Sequence, residues 1–483
     1  VIAINRGAKT VTVRNLADGS SYEESYDQLV LAPGAVPLQP PIPGRELIPI
    51  HTVHKVQDTV ALKQAIAPGK RVVVIGGGFI GVEAAENLAD AGCQVALVEA
   101  LPQILRIFDE DMVQILHKEM VDHGVQLIVN DKVEAFTATE VVLASGQRLA
   151  ADLVVMAIGV RPETALAKDA GLAIGHSGAI SVDELCRTTD PDIYAVGDAI
   201  EVHSKLFAEP YRLSLAWPAQ VQARGVAGHI HGQHFQAPRF IGSSCIKVFD
   251  YNAASTGLTE AQLLASSSAM DYDVAHIAPF DRVSLMPDAR VCFLKLIFAK
   301  ADGRILGAQA IGKGEVAKRI DVIATAMHFN ATVQDLPQLE LCYAPPFSTA
   351  KDVVNMAGYV ACNLQGGAYR QVRVKDVRTL VASNTYILDV REKGELASGV
   401  IHGSHNIPMS ELRDRLHELP KDRPLYVHCR TGQRSYNVVL TLQQLGFNEV
   451  YNIAGGFLAL SFYEYFRDQS EQRQPIVSGY NFN

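Results

Sequence analysis

At 483 residues the chain is too long to fold around one hydrophobic core, so we expect several domains. Its hydrophobic fraction of 48% and charged fraction of 20% are typical of a soluble globular protein. The formal net charge of −9 excludes a general attraction to nucleic acid or anionic membranes. Seven cysteines without a CxxC pair, and no signal peptide or bilayer-length apolar run, favour a reducing, cytoplasmic setting without membrane insertion.

The first residues predict short strands and turns. The opening VIAINRGAKTVTVRNLADG alternates apolar residues as in strands that are already under way, so we expect the chain to enter a domain partway. YDQLVLAPGA (26–35) predicts a buried strand that ends in a Pro-Gly turn, and residues 52–68 have a helical pattern.

The stretch VVVIGGGFIGVEAAENLADAGCQVALVEA (72–100) carries a dinucleotide-binding pattern. Gly76 permits a tight turn, Gly78 lets the backbone approach a pyrophosphate, and Gly81 allows close helix–strand packing. Glu99 ends the second strand, where a carboxylate can hydrogen-bond an adenine ribose. Because a carboxylate there would repel a 2′-phosphate, the pattern favours NADH over NADPH.

The remaining chain predicts three further segments. TTDPDIYAVGDA (188–199) reads as a loop and a buried strand, and its Asp198 is placed to bind an array of ligand hydroxyls or to cap the next helix. Residues 241–345 predict strands followed by a helix, and 343–365 a loop and a helix. Residues 372–468 have their own strand–helix set. HIHGQH (229–234) has metal-like spacing without an acidic or cysteine partner nearby, so we predict no metal site.

Four motifs occur in a specific order: GGGFIGVE (76–83), AIGVRPET (157–164), DIYAVGDA (192–199) and LCYAPPFSTAKDVVNMAG (341–358). Residues 1 to about 365 thereby resemble the pyridine nucleotide-disulfide oxidoreductases, in the branch of the coenzyme A-disulfide reductases, polysulfide reductases and NADH oxidases. The resemblance implies FAD and NADH (or NADPH) as cofactors, coenzyme A as a candidate ligand, and a homodimer.

The resemblance also assigns roles to single residues. It places Asp198 on the ribityl side of FAD, Glu83 near the nicotinamide–flavin junction, and the stretch from Pro218 under the flavin. It makes Tyr343 the tyrosine that one subunit brings to the other's active site, with Lys351 in the family spacing. We expect the neighbouring Cys342 to be a small buried thiol.

Two departures from the family pattern bear on the substrate. The family's N-terminal GxGxxG motif and its single redox cysteine do not occur in these residues, which agrees with entry partway through a domain. Where coenzyme A-disulfide reductases have Tyr-Tyr-Pro-Gly, this chain has Leu285-Met286-Pro287-Asp288, without a substrate-side tyrosine.

PLYVHCRTGQRSYNVVLTLQQLGF (424–447) predicts a buried strand, a loop and an amphipathic helix. Cys429 stands at the helix N-terminus with Arg430 and Arg434 beside it, so we expect a thiolate whose loop N–H groups cradle an anion or a sulfane sulfur. The Cys-x4-Arg spacing, with ILDVRE (387–392), GVIHGSHNIP (399–408) and GGF (455–457), resembles the rhodaneses. That resemblance covers about 372–468 and implies a cysteine persulfide that passes sulfur to a thiol. Asp389 and Arg391 suit a structural pair as well as a catalytic one.

We therefore predict an α/β protein: a flavoprotein reductase fold with two dinucleotide-binding domains, N-terminally incomplete, an α+β dimerisation domain and an α/β rhodanese domain. The predicted domains are 1–51, remainder of the FAD-binding domain; 52–175, NAD(P)-binding domain; 176–240, C-terminal part of the FAD-binding domain; 241–365, dimerisation domain; and 372–468, rhodanese domain. The predicted site residues are Cys429, Arg430, Arg434 and Tyr343 (catalytic); Gly76, Gly78, Phe79, Ile80, Gly81, Glu83, Glu99, Gly159, Gly197, Asp198, Pro218 and Ala219 (cofactor-binding); and Lys351 (substrate-binding).

The predicted activity is NAD(P)H-dependent reduction of polysulfide, persulfide or a coenzyme A-type disulfide, coupled to a rhodanese that carries sulfane sulfur on Cys429. Three alternatives stay open at this point. The chain could be a sulfurtransferase on a non-catalytic scaffold, a non-enzymatic sulfur carrier or redox sensor, or an NADH oxidase or peroxidase-like flavoenzyme.

Overall fold

The computed structural model describes residues 1–266 and 270–482. The chain forms two compact units, each built from separate stretches of sequence. The first unit comprises Val1–Pro41, His51–Gln64 and Met156–Gly242, and the second comprises Ile42–Ile50, Ala65–Val155 and Ser243–Asn483.

The first unit consists of short strands and two helices around a small apolar core. Its strands form an antiparallel sheet of three, a parallel pair and an antiparallel pair: Ala3–Asn5, Thr10–Arg14 and Ser21–Ser25; Leu29–Leu31 with Ile193–Ala195; and Ala35–Pro37 with Val160–Pro162. The helices are Ala165–Asp169 and Ala216–Ile230, and a further helix, Val56–Ala65, begins in this unit. Gly34, at φ +72°, makes the predicted turn between the second strand group and the third.

The second unit begins with an α/β layer. Its sheet runs in the order Ile50–His51, Leu153–Met156, Arg71–Ile75, Gln94–Val98 and Gln126–Ile128. Helices Phe79–Asp90 and Glu110–Asp122 follow two of these strands, and Val133–Phe136, Glu140–Leu143 and Arg148–Ala150 form a separate antiparallel sheet. The strand Arg71–Ile75 is buried along Val72–Ile75 because helices and neighbouring strands cover a continuous apolar run.

Residues 243–365 form an antiparallel sheet with helices beside it. The strand order is Ser243–Val248, Tyr251–Gly257, Ile305–Gly312, Cys292–Ala299 and Tyr272–Ile277. The helices are Glu260–Ala265, Ala317–His328 and Val353–Gln365. The last helix starts at a capping box, in which the Asp352 carboxylate accepts from the N–H of Val354 while Asn355 accepts from that of Asp352.

The C-terminal part has a parallel sheet of its own. The order is Arg370–Val372, Val450–Ile453, Leu425–His428, Tyr386–Asp389 and His405–Asn406, with helices Val374–Ala382, Gln433–Gln444 and Gly456–Ser470. The central strand Leu425–His428 ends directly before Cys429. Functional groups of a parallel α/β sheet collect at the carboxyl ends of its strands, so this placement puts the thiol where such sheets hold their ligands. The mixed α/β class predicted from the sequence is confirmed.

A buried charge cluster ties the three parts of the second unit together. Lys295 is fully buried, and its Nζ lies 2.6 Å from Asp111, 2.5 Å from Glu260 and 3.1 Å from Asp109. Arg373 forms an ion pair with the other oxygen of Glu260. Because these residues come from the nucleotide layer, the antiparallel sheet and the C-terminal part, the cluster fixes all three to one another.

Candidate active sites

Gly432 sets the backbone conformation of the Cys429 loop where the loop meets the helix Gln433–Gln444. Gly432 caps the helix Gln433–Gln444 at φ +94°, a conformation that residues with a Cβ rarely adopt. A Cβ at this position would also lie 3.2 Å from the backbone nitrogen of Gly455. The sequence therefore needs glycine at the fourth position of CRTGQR.

The Cys429 sulfur is buried and surrounded by hydrogen-bond donors. The backbone N–H of Gly432 donates to Sγ at 3.2 Å. The Ser435 hydroxyl lies 3.5 Å from Sγ and 3.1 Å from the Gly432 carbonyl oxygen, and it can donate to either. Donors aimed at one sulfur stabilise negative charge on it, which is the arrangement predicted for a thiolate or a persulfide anion.

The helix Gly456–Ser470 clamps the same loop from the other side. Its first N–H groups, of Phe457 and Leu458, donate to the carbonyl oxygens of Cys429 and Arg430, both at 2.9 Å. A Cβ on Gly456 would meet the Cys429 carbonyl oxygen at 2.6 Å. The small residues of the GGF motif thus let this helix start approach the backbone of the Cys429 loop closely, and its hydrogen bonds fix the position of Cys429.

The two arginines beside the thiol differ in their environment. Arg434 forms a two-pronged ion pair with Glu395, at 2.7 Å for each N–O contact, and this hydrogen-bonded pairing raises the pKa of Arg434. Burial lowers the pKa of Arg430, against the opposing attraction of Glu395 and Cys429. Both guanidinium groups therefore lie close enough to interact with the sulfur.

Asp389 and Arg391 form a buried pair behind the loop. Arg391 donates to Oδ1 of Asp389 at 3.0 Å, to Oδ2 at 2.6 Å, and to the Gly399 carbonyl at 2.8 Å. His428 lies 3.6 Å from Asp389, and its ring stacks on Phe457. These contacts join the strand ends to one another, which supports the structural role for the pair.

The dinucleotide loop has the geometry of a phosphate cradle. Gly76 adopts φ +105°, and a Cβ on Gly77 would collide with Ile104 at 2.6 Å. A Cβ on Gly78 would meet nothing within 4 Å, so open space faces the backbone where the helix Phe79–Asp90 begins. This space and the helix N-terminus fit a nucleotide pyrophosphate.

Glu99 has a second task that the sequence did not reveal. One carboxylate oxygen accepts from the N–H of Gly77 at 2.6 Å, and the other accepts from the N–H of Leu101 at 2.9 Å. The carboxylate therefore braces the glycine loop from behind. Its contact with a nucleotide ribose remains a prediction.

The first unit brings the predicted flavin residues together. Gly197 and Asp198 form a short 3₁₀ turn after the strand Ile193–Ala195, and the Gly197 N–H donates to Gln222 on the next helix at 2.8 Å. A Cβ on Gly197, which has φ +78°, would lie 3.8 Å from the Cβ of Ala219. Burial raises the pKa of Asp198, against a smaller opposing effect of His54. A partly buried carboxylate of this kind suits the hydroxyl groups of a flavin ribityl chain.

Gly159 and Pro218 also belong to the first unit. The carbonyl oxygen of Gly159 accepts from the N–H of Leu38 at 3.0 Å, and Gly159 adopts φ +104°. Pro218 is buried in the first turn of the helix Ala216–Ile230.

Tyr343 and Lys351 lie in one exposed loop of the second unit. The Tyr343 side chain is half exposed, and the loop ends at Asp352, which accepts from Ser348 at 2.7 Å and pairs with the buried Arg319 at 3.2 Å. Asp352 anchors the end of the loop, and the Tyr343 side chain faces outward. A residue that contacts a partner subunit must be exposed in this way. The expectation of a buried Cys342 is wrong, because this thiol is exposed in the same loop.

Sequence reasoning missed three contributors to the Cys429 loop. The Ser435 hydroxyl follows directly on Arg434 in HCRTGQRS, so its proximity could have been inferred from the helix start. Glu395 pairs with Arg434 across 39 positions of sequence, and no local pattern points to it. Gly432 was visible only as a loop residue.

Among the described residues, no helix is long and apolar enough to cross a membrane.

Comparison with known proteins decides the family. Residues 1–223 match the family model described as pyridine nucleotide-disulphide oxidoreductase, and residues 243–353 match its dimerisation domain. A coenzyme A disulfide reductase of Staphylococcus aureus (strain JH9) is 32% identical over 364 residues, which cover 75% of this chain and 82% of that protein. The chain belongs to the pyridine nucleotide-disulphide oxidoreductase family. Membership implies FAD and a pyridine nucleotide as cofactors in general, and the matched dimerisation domain indicates a homodimer.

This family member also carries a rhodanese-like domain, matched over residues 373–461. Two solved structures align with nearly the whole length of this chain. The reduced Bacillus anthracis CoADR-RHD has a TM-score of 0.92 at 43% identity, covering 97% of this chain and 84% of that one. An NAD-dependent persulfide reductase from A. fulgidus has a TM-score of 0.87 at 35% identity, covering 95% and 84%.

Proposed function

We propose that this oxidoreductase is an FAD- and NAD(P)H-dependent reductase of polysulfide, persulfide or a coenzyme A-type disulfide, and that its rhodanese-like domain carries sulfane sulfur on Cys429. The observation that carries the proposal is the Cys429 loop itself. A buried sulfur with the Gly432 N–H, the Ser435 hydroxyl and two guanidinium groups around it suits a sulfur anion. The relatives named as coenzyme A disulfide reductase and persulfide reductase support the reductase half.

The sulfur step at Cys429 follows from this geometry. The Cys429 thiolate attacks the terminal sulfur of a persulfide R–S–SH, a new sulfur–sulfur bond forms to Sγ, and the sulfur–sulfur bond of the donor breaks. The electron pair leaves on the thiolate RS⁻, while the proton stays on the transferred sulfur or moves to solvent. Gly432 and Ser435 stabilise the charge on sulfur before and after transfer, and Arg430 and Arg434 add positive charge beside the loop.

The residues of the other two sites would hold the cofactors. Gly76, Gly78 and Gly81 would take the pyrophosphate of NADH, and Asp198 with the Pro218–Ala219 stretch would take FAD. When bound, the cofactor pair supplies electrons for reducing a sulfur–sulfur bond. Glu83, on the helix that follows the glycine loop, would contact a cofactor, and Tyr343 and Lys351 would face the substrate across a dimer. NADH is favoured over NADPH, and a cytoplasmic site fits the reducing setting.

The proposal is tested with the purified protein and a Cys429→Ser variant. NADH oxidation with polysulfide or coenzyme A disulfide measures the reductase half, and sulfur transfer from glutathione persulfide to cyanide measures the rhodanese half. We expect the variant to lose sulfur transfer by at least about a hundredfold while its direct reduction of coenzyme A disulfide persists. The exposed Cys245→Ser variant is the matched control and should keep both activities. Undiminished sulfur transfer in Cys429→Ser would refute the assignment of the thiol.

A further inference from the structure

Glu395 places a negative charge beside the Cys429 loop. It lies on the short 3₁₀ helix Lys393–Ser398 and is held by the N–H of Glu392, which donates to its Oε2 at 3.0 Å. Its two oxygens accept both terminal nitrogens of Arg434 at 2.7 Å. About a third of each side chain is exposed, so the pair lies at the boundary between the loop and solvent.

This pairing uses the face of Arg434 that recognises anions. A guanidinium binds a carboxylate or a sulfonate through two parallel N–H groups, and here Glu395 occupies that fork. The same carboxylate attracts Arg430, since Glu395 opposes the lowering of the Arg430 pKa by burial. The carboxylate of Glu395 therefore acts on both cations beside Cys429 and offsets part of their positive charge.

We propose that Glu395 selects the sulfur donor: by occupying the Arg434 fork it disfavours the dianion thiosulfate and leaves the loop to thiol persulfides. This inference rests on the proposed sulfurtransferase role of Cys429. Thiosulfate presents a sulfonate-like head with two negative charges and needs cationic donors in place of the carboxylate. A thiol persulfide carries at most one charge on its reacting sulfurs, which Gly432 and Ser435 can stabilise.

Both reactions balance at Cys429. With thiosulfate, the thiolate takes the sulfane sulfur, the sulfur–sulfur bond of the donor breaks, and the electron pair leaves on sulfite. With a persulfide, the pair leaves on the thiolate RS⁻. In either case cyanide regenerates the Cys429 thiolate by taking the outer sulfur as thiocyanate. Glu395 acts through Arg434 and is a positioning residue.

The test compares Glu395→Gln with the parent protein in thiosulfate:cyanide and glutathione persulfide:cyanide transfer. Glutamine keeps the size and one acceptor while it removes the charge. We expect kcat/KM for thiosulfate to rise about tenfold through a lower KM, and to depend more steeply on the salt concentration. The value of kcat/KM for glutathione persulfide should change by less than about twofold. The matched control is Glu418→Gln, which breaks another two-pronged pair, with Arg415 at 2.6 and 2.8 Å, in the same domain. This control should leave kcat/KM for both donors unchanged.

A second readout does not depend on sulfur transfer. Sulfate has the charge and shape of the thiosulfate head but no sulfane sulfur, and its binding should slow the alkylation of Cys429 by iodoacetamide, followed on the Cys429 peptide. We expect sulfate to protect Glu395→Gln at about tenfold lower concentration than the parent. If the parent transfers sulfur from neither donor, the proposed function fails, and the sulfate result still decides the role of Glu395. Equal sulfate protection in the parent and in Glu395→Gln would overturn the selection by Glu395. An equal loss of kcat/KM with both donors in Glu395→Gln would overturn it as well.

Discussion

Gly456 lies in close backbone contact with the Cys429 loop. At φ +61° it tolerates a Cβ poorly, and a Cβ would lie 2.6 Å from the Cys429 carbonyl oxygen. We expect Gly456→Ala to reduce kcat for sulfur transfer at least about tenfold, because the loop must move to relieve the collision. Steady-state persulfide:cyanide kinetics measures the effect.

The control for this prediction is Gly403→Ala. Gly403 has a similar φ of +76°, but a Cβ there meets nothing within 4 Å. It should cost about 1 kcal/mol of stability from backbone strain alone and leave kcat unchanged. Equal kinetics for the two variants would show that the collision at Gly456 has no bearing on catalysis.

Gly78 offers a comparable test in the dinucleotide loop. A Cβ at this position meets nothing within 4 Å in the free protein, whereas a side chain would fill the space in which the pyrophosphate is expected. Gly78→Val should therefore fold normally, and dithionite should still reduce its flavin. Its KM for NADH should rise by at least about tenfold. An unchanged KM for NADH would place the nucleotide elsewhere.

At the scale of single residues, local patterns predicted some features and concealed others. The tight turn at Gly76 and the place of Cys429 between a buried strand and a helix could be predicted, because a few neighbouring positions define each of them. Glu395 and Lys295 could not, because their partners lie 39 and up to 186 positions away. Glu99 was predicted to bind a ribose from its place at a strand end, but its contacts with the N–H groups of Gly77 and Leu101 depend on a geometry that the sequence does not define.

The strand Cys292–Ala299 carries a lysine into the protein interior. Burial disfavours the charge of Lys295, but Asp111, Asp109 and Glu260 outweigh this effect and raise its pKa. The sequence CFLKLIFA predicts a buried strand and gives no sign that its lysine is buried as well. Tertiary contacts with two other segments make the charge tolerable.

Lys295→Met should destabilise this element strongly. The substitution leaves Asp111 and Glu260 buried with less compensation, so we expect a loss of about 3–5 kcal/mol in the free energy of unfolding. Urea unfolding followed by circular dichroism measures the loss. Lys300→Met, which removes a surface pair with Asp271 at 2.9 Å, is the control and should cost at most about 1 kcal/mol. A Lys295→Met protein as stable as the control would mean that the cluster does not hold the segments together.

At the scale of the whole molecule, buried histidines make stability depend on pH. Burial lowers the pKa of His117 to about 3 and that of His276 to about 4, and it also lowers the pKa of His428. These side chains are neutral in the folded chain, whereas the unfolded chain binds protons below a pKa of about 6.5. The neutral histidines therefore contribute fully to the free energy of unfolding above about pH 6.5. This contribution falls as the pH drops toward the pKa values of the folded state.

The pH dependence of urea unfolding between pH 7 and pH 5 tests this prediction. The free energy of unfolding should fall with a slope that approaches three protons, one for each buried histidine. His276→Gln should lower that slope by about one proton, whatever it does to stability at pH 7. A free energy that stays constant over this range in the parent protein would contradict the neutral, buried state of these rings.

The sequence predicted the order of domains better than the way they are joined. Periodic apolar strands and glycine loops are local signals, and they located the nucleotide layer, the antiparallel sheet and the rhodanese-like sheet. The joints depend on contacts such as Arg467 with Glu110 at 2.9 Å and on edge-to-face packing of Phe462 against Phe293. Such contacts connect distant segments, and no periodicity encodes them.

We propose that this chain joins flavin-dependent reduction to sulfur transfer. The absorption spectrum of the purified protein under anaerobic conditions, taken before NADH, after NADH and then after polysulfide, tests this directly. We expect a yellow protein whose flavin band bleaches with NADH and returns with polysulfide. A colourless protein, or a flavin band that NADH leaves unchanged, would contradict it and leave Cys429 as the site of all the chemistry.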